Sequence, residues 1–176
     1  MLGSRAYIDE LVEALEIRFL ANKEDNLHFG LLTDFLDADL ETMPGDEELL
    51  KFVISKIEGL NLKYERPGDD IFFLFHRPRL WNPKEGKWMG FERKRGKLSA
   101  LNALIKNRGK NDFSRIVGDQ RLLTNVRYVI TLDSDTQLTR DVARQLISTM
   151  AHLLNKPIYS STKKRVLAGY GILQPT

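Results

Sequence analysis

Asp133 and Asp135, one residue apart, follow directly on Tyr128-Val129-Ile130-Thr131-Leu132, an uncharged run of β-branched, aromatic and aliphatic residues. Such a run reads as a buried strand, and the two carboxylates make an acidic turn at its carboxyl end. Open parallel sheets bind ligands beyond the carboxyl ends of their strands. Two carboxylates there suit a hard divalent cation whose shell is completed by phosphate oxygens of a substrate. The alternative for the same residues is an Asx-type turn that caps the next helix. A second acidic strand end lies earlier, where Leu27 to Thr33 runs into Asp34 with Asp37 and Asp39 just beyond. Cations are supplied by Arg93, Lys94, Arg95 and Lys97, at a helix start whose free N–H groups favour anions. A solvated basic turn is the alternative there.

The elements that must position these groups follow from periodicity. Ser4 can cap a helix with Ile8, Leu11, Val12, Leu15 and Phe19 on one face. Asn22 to Asn26 is a polar turn before the Leu27–Thr33 strand. Asp46 can cap a second helix with Leu49, Leu50, Val53, Ile54 and Ile57 inward, closed near Gly59. Ile71 to Phe75 reads as a buried strand. His76 to Gly90 lacks periodicity, carries two prolines and two tryptophans, and is long for a connection. A helix is expected over Lys97 to Ile105 after Gly96, and a short strand at Ile116-Val117 within the mixed segment Asn107 to Asn125. Thr139 can cap a last helix with Val142, Leu146, Ile147, Met150 and Leu153 or Leu154 inward, and Gly169 to Leu173 suits a final short strand. His28, His76 and His152 show no metal-ligand spacing; His76 is singled out only because it opens the long segment. The order αβαβαβα with apolar strands implies an α/β class and a mostly parallel sheet.

The 176 residues are the size of one domain, 42% hydrophobic and 29% charged, with a mean hydropathy of −0.33. That is the composition of a soluble globular chain. No apolar run approaches the ~20 residues of a membrane span. With no cysteine, disulfides, thiolate metal sites and thiol nucleophiles are excluded. A net charge of +3 permits an anionic ligand without the concentrated excess of a nucleic-acid protein.

Acids at an early strand end, Gly96-Lys97 followed by Leu101-Asn102, and the later Asp133-Ser134-Asp135 together resemble nucleotide-sugar glycosyltransferases of the GT-A fold. Phe75-His76-Arg77-Pro78-Arg79, Trp81-Asn82-Pro83, Glu85-Gly86-Lys87-Trp88-Met89-Gly90, Glu92-Arg93-Lys94-Arg95-Gly96-Lys97, Met150-Ala151-His152 and Gly169-Tyr170-Gly171-Ile172-Leu173-Gln174-Pro175 narrow the resemblance. They are similar to the glycosyltransferase region of bacterial cyclic β-1,2-glucan synthases. The resemblance implies a three-layer α/β/α sandwich and an inverting transfer of glucose from UDP-glucose to a growing β-1,2-glucan. It further implies Mg²⁺ or Mn²⁺ held by Asp133 and Asp135, with Asp135 ahead of Asp133 as direct ligand, Asp34 facing the uridine, and Lys97 on the phosphates or base. Residues 1–176 would form one partial domain of a large protein at the cytoplasmic face of the bacterial inner membrane. A first strand ahead of Ser4 and a catalytic base beyond Thr176 are expected, so the fragment itself is expected to be soluble and inactive, with an open sheet edge that invites self-association.

Two other readings remain at this level. A haloacid-dehalogenase-like phosphatase would use Asp133 as nucleophile and Asp135 as acid/base, although Gln137 stands where that motif has Thr or Val. A non-catalytic fragment would hold glucan or a polyanion through Trp81, Trp88 and the basic run. Phosphate release from an aryl phosphate favours the first, and glucan binding without nucleotide binding the second.

Overall fold

The computed structural model describes residues 1–65, 68–106 and 111–174. The expectations touching residues 107–110 and 175–176 lie outside the described residues. The Ser4 hydroxyl accepts the Tyr7 amide N–H at 3.2 Å and opens α1 (Arg5–Ala21), whose buried residues are Ile8, Leu11, Val12, Leu15 and Phe19, as the periodicity predicts. After β1 (Phe29–Asp34), Gly45 takes the left-handed conformation at the start of α2 (Asp46–Lys63). That helix runs through Gly59, because one glycine costs a helix interior only about 1 kcal/mol and Leu60 still packs inward. β2 (Phe72–Arg77) is buried at every position.

The segment read as an unstructured connection contains a hairpin, β3 (Leu80–Asn82) and β4 (Lys87–Met89). Three-residue strands are too short to leave a visible alternation. Then come α3 (Arg93–Ile105), β5 (Arg115–Val117), a 3₁₀ turn over Gln120–Asn125, α4 (Val142–Ala151), a short 3₁₀ turn over Leu153–Asn155, β6 (Ile158–Ser160) and β7 (Arg165–Ala168). β5 matches the expected short strand. The expected final strand at Gly169 to Leu173 is not formed; the pairing lies just ahead of it, between β6 and β7.

The central sheet has the order β1-β2-β5. β1 and β2 are parallel from Phe29↔Phe72 to Asp34↔Arg77, because α2 forms a crossover between them, whereas β5 is antiparallel to β2. The two hairpins are antiparallel as well, so the mostly parallel sheet expected from the apolar runs is limited to one strand pair. Apolar content reports that a strand is buried on both faces, not which way its neighbour runs. Alternate side chains of β2 enter two cores. Phe72 and Leu74 join α1 and α2 on one face, while Phe73 and Phe75 meet Ala100 and Leu101 of α3 on the other. Helices thus cover both faces. Leu2 donates its N–H to the Asp34 carbonyl at 2.7 Å and bridges Phe35 in parallel, meeting the second edge of β1 at its carboxyl end.

Tyr128 to Leu132 belongs to no strand, and Tyr128 and Val129 are 39% and 44% exposed. Strand propensity alone does not make a strand: this run pairs with neither outer strand of the sheet, β1 or β5. Val142, Leu146, Ile147 and Met150 are half-buried on the expected face of α4 beside the buried Ala143, but Leu153 and Leu154, 77% and 83% exposed, do not continue it.

A polar layer crosses the carboxyl end of the parallel pair. His76 is fully buried; its Nδ1 pairs with Thr33 Oγ1 at 2.9 Å, and its ring meets Phe35 edge-on at 4.3 Å. Burial lowers its pKa to about 4, against the pull of Asp34 and Asp46. A histidine buried neutral stabilises the fold fully above its ordinary pKa near 6.5, and that stability is lost as pH falls toward 4. Over that window the group accounts for a loss of about 3 kcal/mol. Urea unfolding of the native chain and a His76→Gln variant at pH 7, 5.5 and 4 measures it: the difference between the two proteins should shrink with falling pH. A difference constant across the three pH values contradicts this assignment.

Candidate functional site

Asp34 and Arg77 end β1 and β2 side by side in register. The Asp34 carboxylate accepts from Arg77 Nε at 2.9 Å and Nη2 at 3.2 Å, with side chains 3% and 7% exposed. Such a fork-to-carboxylate pair is held as a unit. The same Nη2 donates to the Arg93 carbonyl at 3.2 Å, so Arg77 also fixes the start of α3. Lys97 approaches Asp34 from that helix, Nζ to Oδ2 at 3.4 Å.

The start of α3 differs from the sequence expectation. The helix begins at Arg93, so the basic run forms its first turn, and Gly96 lies inside it rather than ahead of it. Glu92 and Arg93 hold φ of 53° and 46°, a conformation that residues with a Cβ seldom adopt. Two glycines allow the close packing beneath. A Cβ on Gly90 would stand 2.5 Å from the Asp34 carboxylate, and one on Gly96 would meet the Phe91 carbonyl and, at 2.8 Å, Arg77 Nη1. Gly96→Ala is therefore expected to lower stability by about 1–3 kcal/mol despite the better helix propensity of alanine. Thermal unfolding checks this; a stability equal to or above the native value would mean that the helix start shifts freely.

Each cation of the basic run meets a carboxylate. Arg93 bridges Asp37 at 3.0 Å and Glu85 at 3.1 Å, Lys94 pairs with Asp133, Arg95 with Glu92, and Lys97 with Asp34. The first turn of α3 therefore reaches Asp133 through Lys94 and Asp34 through Lys97, three residues apart on one helix. Asp133 and Asp135 themselves stand in an exposed turn. That turn is gripped from α1: Arg18 donates to the carbonyls of Ser134 and Thr136, both at 2.8 Å, and of Asp133 at 3.4 Å. Asn22, buried at the end of α1, donates to the carbonyls of Leu138 and Thr139 and accepts the Ala143 N–H at 3.1 Å, securing the chain that follows.

Of the predicted residues, Asp34 and Lys97 are joined directly, and Asp133 is brought to the same helix by Lys94. No contact of Asp135 with them is seen. Arg77, Arg18 and Lys94 escaped the sequence reading as organising residues. Arg77 had a signal, since it closes a buried apolar run as Asp34 does, and two charged residues at adjacent buried strand ends must neutralise one another.

The Asp46 carboxylate, at the start of α2, and Arg79 form a second buried pair. Burial raises the Asp46 pKa, but the Arg79 guanidinium and the Met43 amide outweigh it and hold it below the ordinary carboxylate value. Arg79 also donates to the Leu36 carbonyl at 2.5 Å and the Glu41 carbonyl at 3.2 Å, so it ties down the loop that carries Asp37.

Among the described residues, no group of three or more His, Asp or Glu side chains is placed to hold a metal ion. A cation at this site would need oxygen donors from a ligand as well as from the protein. The Asp133 carboxylate already holds a positive group, the Lys94 ammonium, in the position such an ion would take, and carboxylate oxygens are the donors that Mg²⁺ and Mn²⁺ prefer.

No protein-family model matches the chain. Over 175 residues, 99% of its length, the chain is 42% identical to the cyclic beta-(1,2)-glucan synthase NdvB of Rhizobium meliloti (strain 1021). The chain spans about 6% of the length of that relative. It is thus a homologue of one segment of a glucan synthase. No helix among the described residues is long and apolar enough to cross a membrane.

Proposed function

We propose that this chain is the donor-binding part of a glycosyltransferase of the GT-A type, which transfers glucose from UDP-glucose to a growing β-1,2-glucan with inversion. The observation that carries the reading is the first turn of α3, where Lys94 meets Asp133 and Lys97 meets Asp34. The identity to a cyclic beta-(1,2)-glucan synthase supplies the substrate class. Asp133 and Asp135 would hold Mg²⁺ or Mn²⁺, which when bound offsets the charge of a departing diphosphate. Lys94 and Lys97 would supply cations for the phosphate oxygens beside that ion. Asp34 orients Lys97. Arg18 keeps the acidic turn in place through its backbone carbonyls, so it occupies neither carboxylate.

Lys97→Ala should weaken UDP binding in the presence of Mn²⁺ by about 1–3 kcal/mol, the range of a charge-assisted hydrogen bond. Calorimetric titration reads it directly. A change confined to a small shift in salt dependence would return the basic run to a solvated helix start.

A further inference from the structure

We propose that the outer face of the β3–β4 hairpin is a carbohydrate platform on which Trp81 and Trp88 hold a neutral glucan chain beside the donor site. The proposal rests on the transferase reading above and adds to it the place of the acceptor. Register and alternation define the face. Met89, 1% exposed, points into the protein, so its strand neighbour Trp88 and the cross-strand partner Trp81 point outward. The two indoles lie 5.9 Å apart between centroids at 57°, and Trp81 is 49% exposed. Neither indole is needed to fill a core, and large exposed aromatic faces on a short, well-fixed hairpin mark a binding surface.

The hairpin is rigidly joined to the site. Trp88 and Ala38 exchange two backbone hydrogen bonds of 2.9 Å, on the loop that follows Asp34. Arg93, at the start of α3, clamps Glu85 in the hairpin turn and Asp37 on that loop. A β-linked glucose ring presents axial C–H groups on its faces and hydroxyls around its rim. The C–H faces match indole faces. Arg93 is already neutralised by two carboxylates, and stacking of C–H faces on indoles needs no charge on the sugar, which suits an uncharged glucan.

Trp81 and Trp88 are the chain's two tryptophans, so intrinsic tryptophan fluorescence reports this face and no other. The test is titration of the full chain with a β-1,2-gluco-oligosaccharide, alongside a titration with UDP and Mn²⁺. The expected result is a saturable change in emission. Trp81→Ala should weaken binding about tenfold or more, whereas Trp81→Phe stays within about threefold, as for an aromatic contact. UDP binding with no oligosaccharide response overturns the platform and leaves the transferase reading standing. An oligosaccharide response without UDP binding supports the platform and removes the transferase reading. Equal affinity in Trp81→Ala, tighter binding of a sulfated polymer than of the glucan, or a dimer that Trp81→Ala dissolves in the absence of sugar each overturns the proposal.

Discussion

Arg77→Ala is expected to remove about 3–5 kcal/mol of stability, the cost of leaving a buried carboxylate without its partner. The Asp34 side chain is 3% exposed and both its oxygens accept from the guanidinium, so water cannot replace what is lost. Lys97 stays within 3.4 Å of Oδ2, but a single ammonium does not reproduce the fork, and the Arg93 carbonyl loses its Arg77 donor. The loss is a large fraction of the 5–15 kcal/mol that holds an ordinary domain together. Urea unfolding at pH 7 measures it. The double variant Asp34→Leu/Arg77→Leu should recover much of the stability, because replacing both members of a buried pair with apolar groups removes the unpaired charge. A single-variant loss below about 1 kcal/mol would place the pair in the class of solvated surface bridges.

The acidic turn carries the second large effect. Asp133→Asn/Asp135→Asn is expected to cut Mn²⁺-dependent UDP affinity roughly a thousandfold, about 4 kcal/mol, because both hard oxygen donors become neutral amides. The fold should not change: both side chains are exposed, and Arg18 holds the turn through carbonyl oxygens that the substitutions leave intact. Asp135→Asn alone should account for most of the loss. Circular dichroism and calorimetry on the same samples separate binding from folding. Unchanged affinity in the double variant would remove the turn from the site.

Where one face of a helix or both faces of a strand are buried, the sequence was readable. The inward face of α1, Phe72 to Phe75 of β2 and the short β5 follow from spacing and apolar content, whereas His76 and Arg77, read as the start of the aperiodic segment, extend β2. Tyr128 to Leu132 shows the limit of that reasoning. Its composition suits a central strand, yet pairing depends on a neighbouring edge that no local pattern encodes. Asp34 was legible as a strand-end carboxylate, whereas Asp133, read the same way, stands in an exposed turn that follows no strand. What gathers them was not, because Arg18, Arg77 and Lys94 act through contacts between residues far apart in the chain, and a lone basic residue has many solvated roles. The hairpin that displays Trp81 and Trp88 was hidden by its three-residue strands, though the concentration of aromatic and turn residues did mark the segment.

The central claim is that the first turn of α3 and the Asp133-Ser134-Asp135 turn form one donor site completed by a divalent ion. Calorimetric titration of UDP into the full chain, with and without Mn²⁺, tests it most directly. The account predicts saturable binding with Mn²⁺ and at least tenfold weaker binding, about 1.4 kcal/mol or more, without it. UDP affinity that is the same with and without the ion, or no binding in either case, would contradict it.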